Sequence, residues 1–267
     1  MSVAAWALQH EASIRLLAFL AAIVLLAFGE WLRPRRQVDG GWRRRATNIG
    51  LVAFDTLLVR LLLPVLAVGV AYWAEQRDAG LLHAVALPSW LAFALGVLLL
   101  DVAIYWQHRI LHRVPLLWRL HRVHHADLGF DFTTGVRFHP LEILLSLGFK
   151  FALIVAFGIG PLAVLVFEIA LNLGALFTHS NLALPLRLDR VLRWLLVTPD
   201  MHRVHHSVHR DETDSNYGFH LSCWDRLFRS YRPQPRDGHT TMTIGLPQFR
   251  EPRAQRLLAL LLNPFRR

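Results

Sequence analysis

The chain has 267 residues, 54% of them hydrophobic, with a formal charge of +10 and a single cysteine, Cys223. One cysteine excludes an intramolecular disulfide and any cysteine-built metal cage. The apolar residues fall in nearly uncharged runs long enough for the ~20 helical residues that cross a bilayer, which excludes an ordinary soluble domain.

All but one of the 29 basic residues are arginines, the exception being Lys150. Most flank apolar segments, a placement that suits anionic lipid headgroups better than nucleic acid. Met1 to Glu11 has no Lys or Arg, so a secretory signal with a basic start is not expected. Ile14 to Leu32 reads as the first span and ends at Arg33, Arg35, Arg36, then Arg43, Arg44 and Arg45. The positive-inside rule puts that loop in the cytoplasm and the N-terminus outside. A second span falls within Ala46 to Trp73, carrying Asp55, Arg60 and Pro64. Polar groups in a span are expected to face other helices, and Pro64 to kink it. Ala74 to Ser89 has Arg77 as its only basic residue and suits the outer side; Trp90 to Trp106 then returns inward.

That span delivers the most informative stretch, DVAIYWQHRILHRVPLLWRLHRVHH, from Asp101 to His125. It holds His108, His112, His121, His124 and His125, and MHRVHH repeats its second half with His202, His205 and His206. Residues three and four apart share a helix face, so each group points its imidazoles one way. Neutral imidazole is the commonest protein ligand for transition metals. A lone histidine beside an apolar run is usually a partnered interfacial residue, but three such groups read as a metal centre at a membrane boundary. Eight clustered histidines, with His179 as a ninth, exceed one tetrahedral zinc. Two metals, each with four or five imidazoles, are expected. Ligand type alone does not choose among Zn, Cu, Fe and Ni.

His121 to His139 reads as a cytosolic segment. Leu141 to Phe157 and Pro161 to Thr178 form an expected membrane hairpin turning at Gly158, Ile159 and Gly160. His139, Glu142, Ser146 and Lys150 share one side of the first helix, and Glu168, Asn172 and His179 one side of the second. These sides are expected to face each other, with Lys150 hydrogen-bonded to Glu168 or Asn172. Leu186 to Val197 reads as an interfacial amphipathic helix, and Arg250 to Arg267 as a second. Thr198 and Pro199 open the helix that bears His202, with Thr198 as N-cap. His139, Asp101, Tyr105, Glu142 and Asn172 are the residues expected to support or orient ligands. His10 and His83 fall on the outer side, and His209 and His239 on the surface.

The fold expected is an all-α integral membrane protein with three spans plus a short membrane hairpin, and a cytosolic helical cap carrying the histidine clusters. Its units are 1–89, N-terminal spans and loops; 90–231, the metal domain; and 232–267, a tail.

HRILH, LWRLHRVHH, RFHPLE, THSN, TPDMHRVHHS, NYGF and WDRLF, between about Asp101 and Tyr231, together resemble the fatty acid hydroxylase / sterol desaturase superfamily. The resemblance implies a membrane-embedded non-haem diiron oxygenase that hydroxylates or desaturates lipid C–H bonds with O2 as co-substrate. It implies His108, His112, His121, His124, His125, His179, His202, His205 and His206 as ligands of two Fe ions, with Zn as a possible substitute. It also implies a lipid substrate from the bilayer and a separate electron donor of ferredoxin or cytochrome type. The location expected is a bacterial inner membrane, with the active site on the cytoplasmic face. Four residues depart from the pattern: Arg229 and Ser230 where many relatives carry Gly-Thr, His220 where Asn is frequent, and Ala183 where some fatty acid hydroxylases carry His. The alternative reading is a histidine-rich membrane metal-binding or transport protein without redox chemistry. A transporter places its ligands near mid-membrane, whereas these clusters fall at a boundary. A reporter fused to the C-terminus is expected to be active only in the cytoplasm; periplasmic activity would overturn this topology.

Overall fold

The computed structural model describes residues 1–38 and 40–266, and no β-strand occurs among them. A short helix α1, Val3–Gln9, precedes five apolar segments long enough to cross a membrane. These are α2 (Glu11–Leu32), α3 with α4 (Gly41–Leu62 and Ala67–Glu75), α5 (Ser89–Arg113), α7 (Pro140–Phe157) and α8 (Pro161–Thr178). Between them, α6 (Pro115–His125) follows α5, and α9 (Leu186–Leu192) and α10 (Pro199–His205) follow α8.

Local chemistry sets the boundaries. Both hairpin helices begin on proline, which lacks the N–H that a helix start would leave unpaired anyway. Gly158 caps α7 at φ +66°, and an added Cβ there would lie 2.5 Å from the Ala79 carbonyl oxygen, so the turn requires glycine. The second span does not merely kink: it breaks completely. Leu63 is extended (φ −118°, ψ 101°), as a residue before proline prefers, and the helix resumes only at Ala67.

The hairpin helix α8 is the spine. It packs on α1, α2, α4, α5 and α10, and Phe167, Val164 and Leu165 meet Ile104, Leu100 and Ile154 in the main apolar core. Lys150 pairs with Glu168 across the hairpin, as the two polar faces led us to expect. Arg15 of α2 also reaches Glu168, at 2.6 Å, a third member that the hairpin pattern did not include.

Two expected interfacial helices are shorter than their sequence patterns. The first ends at Leu192, although Val191, Trp194 and Leu195 stay more than 60% exposed, as an interfacial face would be. The second is not one helix. Pro252–Gln255 and Asn263–Phe265 are single 3-10 turns around a helix at Leu257–Leu261; Arg267 lies outside the described residues. Pro252 and Pro264 interrupt it, and Leu260 is fully buried against Leu51 and Val123, so the tail docks on the protein.

A buried ionic clamp ties the loop after α6 to the N-terminal spans. Arg44 of α3 binds Asp127 at 2.6 Å and also Asp131, while Asn48 donates to Asp127 at 3.0 Å. Burial pushes the Asp127 carboxyl up, but the Arg44 and Arg137 guanidiniums outweigh it and hold it below the usual carboxylate range. Glu30 of α2 accepts from the backbone N–H groups of Phe132 and Asn181 at 2.9 and 2.7 Å, joining α2 to the same loop and to the end of α8. Breaking a buried pair by removing one partner strands the other charge, at about 3–5 kcal/mol. Arg44→Met is therefore expected to lower thermal stability in detergent by that order, whereas Arg43→Met, on an exposed residue, should change little. An unchanged melting temperature for Arg44→Met would contradict the clamp.

Candidate metal centre

Nine imidazoles converge from four places in the chain. His108 and His112 lie one turn apart near the end of α5; His121, His124 and His125 close α6; His179 caps α8; and His202, His205 and His206 lie on or just after α10. Val114-Pro115 lets α6 fold back beside α5, so that HRILH meets HRVHH. Thr198 caps α10 by accepting from the Met201 N–H at 3.3 Å, which fixes where the second HRVHH begins. All nine are at most 2% exposed.

The nitrogens sort into two groups: His108, His112, His121, His125 and His205, and His124, His179, His202 and His206. Within each group the ligand atoms lie within 4.8 Å of one another. The two HxxHH motifs are interleaved. Each gives its first and last histidines, four apart, to one group and its middle histidine to the other. The two groups are thus braided together and cannot form separately.

The outer nitrogens of six of the nine rings have hydrogen-bond partners. Nδ1 donates to backbone carbonyls in His108 (Tyr217, 2.8 Å), His124 (Arg137, 3.1 Å), His179 (Ala175, 2.7 Å) and His205 (Ser215, 2.6 Å). His121 Nδ1 donates to Glu142 at 2.7 Å, and His112 Nδ1 lies 3.3 Å from Asp214. A carbonyl can only accept, so each of those Nδ1 atoms carries the proton and each Nε2 carries a lone pair. Yet Nε2 of His124 sits 3.0 Å from Nε2 of His179, and Nε2 of His108 lies 3.0 Å from that of His121. Two lone pairs cannot hydrogen-bond. The buried Nε2 atoms of His112, His125, His205 and His206 have no hydrogen-bond partner either. Such an array is stable around cations, and the donor set fits two metal ions.

Protonation follows the same logic. Burial, with neighbouring imidazoles adding to it, holds His124, His125, His202, His205 and His206 well below the ordinary histidine value. Burial likewise brings His179 down to about 4. These rings are neutral at pH 7, the state a metal ligand needs.

The supporting residues divide. Glu142 holds a clustered histidine as expected. Asn172 borders the cavity beside the centre without reaching a histidine of it. Asp101 does not orient a clustered ring: its carboxylate accepts from His220 Nδ1 at 2.6 Å and Trp224 Nε1 at 2.7 Å. The helical spacing from Asp101 to His108 put them on one side, but Asp101 points toward the WDRLF segment. Tyr105 instead bonds Ser230 at 2.7 Å and stacks on Phe228. His139 is a helix cap, with Nδ1 accepting from the Leu141 N–H and Nε2 meeting the Leu261 carbonyl at 3.1 Å. His239 is not a surface residue: it is 7% exposed and lies near Asp200.

Sequence reasoning missed the carbonyl anchors because a backbone oxygen has no residue signature. It also missed Asp225, whose carboxylate accepts from the N–H groups of Tyr217 and Gly218 at 2.7 and 2.9 Å and so fixes the carbonyl that holds His108. Burial raises the Asp225 carboxyl to about 6. The Arg229-Ser230 departure is accommodated: Arg229 takes φ +58°, a glycine-favouring conformation, and Ser230 bridges Asp225 and Tyr105.

The fatty acid hydroxylase family model matches residues 93–230. The chain is 37% identical over 146 residues to an alkylglycerol monooxygenase from Xenopus tropicalis, covering 54% of this chain and 30% of that protein. It is 27% identical to ornithine lipid hydroxylase OlsE from Rhizobium tropici, across 93% of this chain and 75% of the relative. It is 30% identical to cholesterol 25-hydroxylase from Rattus norvegicus, across 70% and 61%. The chain thus spans under a third of the length of the alkylglycerol monooxygenases it resembles. No solved structure matches it.

The pH dependence follows from the lowered imidazole values. Unfolding lets these histidines bind protons near pH 6.5, so the unfolded state gains protons that the folded state refuses. Stability is complete above that value and falls as pH drops from about 6.5 toward the folded value of about 4 for His179. Metal content and melting temperature are expected to fall together from pH 7 to 4.5. Retention of both at pH 5 would contradict neutral, metal-ready imidazoles.

Proposed function

The chain belongs to the fatty acid hydroxylase family, and from that membership we propose a membrane-bound non-haem diiron oxygenase that hydroxylates or desaturates a lipid, using O2 and external electrons. The observation that carries this reading is the paired array of five and four buried imidazoles beside a cavity among the membrane helices. Residues 90–231 would hold the metal domain, with 1–89 supplying spans and 232–267 closing over α3 and α6. Electrons would come from a separate ferredoxin- or cytochrome-type donor. The basic loop from Arg33 to Arg45 supports a cytoplasmic active-site face in a bacterial inner membrane. The names of the relatives support a lipid alcohol, ether or sterol-like substrate class, or an ornithine lipid.

Bound iron would supply the redox chemistry that cleaves an unactivated C–H bond. The protein's own part is positional. The carbonyls of Tyr217, Arg137, Ala175 and Ser215 fix ring orientation through Nδ1, so the metal-facing Nε2 atoms need no rearrangement. Glu142 accepts the Nδ1 proton of His121 and makes that ring a stronger donor. The burial of all nine rings keeps bulk water from the nitrogens.

His108 and His121 border the cavity directly and so stand between the centre and a bound lipid. His124→Ala and His205→Ala, one from each group, are expected to lower bound iron and abolish O2-dependent lipid oxidation, read by metal analysis and lipidomics of a deletion strain. Full metal and turnover in either variant would overturn the shared centre. Stoichiometric metal with no oxidised lipid in the wild type would favour the transport or storage reading.

A further inference from the structure

Oxidation of a lipid with O2 takes two electrons from outside the chain, so an electron path must run from the surface to the buried imidazoles. Electron tunnelling through protein weakens steeply with distance, which favours a ring that touches a ligand and also meets solvent. Among the described residues, five side chains other than histidine lay a ring against the clustered imidazoles: Trp118, Phe130, Phe138, Tyr217 and Phe219. Phe130 and Tyr217 are at most 1% exposed. Phe138 and Phe219 border the cavity that the lipid would fill. Trp118 is the one that is half-buried and lies outside that cavity.

The Trp118 ring centre lies 4.9 Å from that of His112 and 5.3 Å from that of His125, two members of the five-histidine group that also stay clear of the cavity. Trp118 is unlike a tryptophan of a membrane-interface belt: seven of the nine tryptophans are at least 40% exposed, and it is not among them. Arg210 lies over its ring, with the guanidinium carbon 4.8 Å from the ring centre, and donates to Asp214 at 2.7 Å and to the His112 carbonyl at 3.1 Å. The charge on this side is lopsided. Asp214 is paired with Arg210, Asp211 with Arg232 and Arg236, and Glu212 with Arg232. Those three carboxylates are matched by three arginines. Arg113, which follows His112, and Arg119, which follows Trp118, are exposed and form no ion pair among the described residues. One turn away on each helix, Arg109 and Arg122 bond uncharged groups only, so the surface around Trp118 carries an excess of positive charge.

We propose that an acidic one-electron carrier protein docks over Trp118, held by Arg113, Arg119 and Arg210, and that its electrons enter the five-histidine group through the contacts of Trp118 with His112 and His125. The proposal rests on the lipid-oxygenase reading and names the partner surface of that same centre. In each encounter the reduced iron–sulfur or haem carrier loses one electron and one ferric ion becomes ferrous. The indole is not itself oxidised; it shortens the gap. Two encounters supply the electron pair needed for each O2. Electron-transfer contacts are small and transient, so a few exposed arginines suffice to guide one. Trp118 lies past the end of the membrane-length helix α5, within reach of a water-soluble protein, and the lipid cavity borders other rings, so carrier and substrate do not compete.

The test uses iron-loaded, full-length protein in detergent, with a plant-type [2Fe–2S] ferredoxin and the soluble domain of a cytochrome b5 as acidic carriers. Equilibrium binding of the oxidised carriers and anaerobic electron transfer from the reduced ones are read separately, and photoreduced deazariboflavin serves as a reductant that needs no docking site. At least one carrier is expected to bind and reduce the centre, with a second-order rate that falls roughly tenfold or more between about 20 and about 300 mM salt. Arg113→Glu with Arg119→Glu should weaken binding and lower that rate by roughly tenfold or more at low salt, with iron content and deazariboflavin reduction unchanged. Trp118→Leu should lower the limiting rate at saturating carrier with little change in the half-saturating concentration, and Trp118→Phe should restore much of it. A wild type that deazariboflavin reduces and neither carrier does would overturn the proposal, and that comparison needs no variant to fold. So would a limiting rate unchanged in iron-replete Trp118→Leu. If the paired arginine variant loses binding to phosphatidylglycerol vesicles but keeps carrier-driven reduction, the patch is a lipid contact and the proposal falls. O2-dependent lipid oxidation is followed on the same samples. Oxidation driven by a carrier indifferent to Trp118 and the arginines defeats this inference alone; docking and reduction without any oxidised lipid support it while defeating the oxygenase reading.

Discussion

The structure depends on a repulsion that it must hold in place. Nitrogens with their lone pairs turned inward approach one another at 3.0 Å, and their protons are committed outward to carbonyls and to Glu142. Left alone, rings in this arrangement would rotate or protonate. They do neither because burial disfavours the imidazolium and the Nδ1 anchors resist rotation. In the proposed diiron reading a pair of cations would turn the repulsion into coordination and couple metal binding to folding. The interleaving of the two HxxHH motifs strengthens that coupling. Neither group is complete unless α6 and α10 are both in position.

The rest of the chain can be read as support for that geometry. Five long apolar helices supply a frame, with α8 at its centre and His179 at its end. The loop that carries Arg137, whose carbonyl anchors His124, is clamped by Arg44, Asn48 and Asp127, so the N-terminal spans position a histidine they do not contain. Asp225 does the same for His108 through Tyr217. The Arg15–Glu168–Lys150 group belongs to the frame and to the cavity at once. It joins α2, α7 and α8, and all three residues border the cavity.

Much of this was legible in the sequence, for definite physical reasons. Membrane spans announce themselves by length and lack of charge, and the hairpin by Gly158 between two such runs. The histidines showed through their spacing at three and four residues, which is helical geometry written in one dimension. Lys150 and Glu168 could be paired because a lone lysine in a span needs a partner. The failures share a cause as well. Asp101 and Tyr105 were placed by helical face alone, and a face does not say which neighbour fills it. The tail read as a second interfacial helix, but Pro252 and Pro264 break it into turns. The carbonyl anchors had no sequence signal at all, since every residue carries one.

X-ray absorption at the iron edge, on protein purified with its native metal, tests the two-metal centre most directly. The account predicts about two iron ions per chain, a first shell of nitrogen and oxygen only, and strong multiple scattering from four or five imidazoles around each. A single metal per chain, or a shell with few imidazoles, would contradict it.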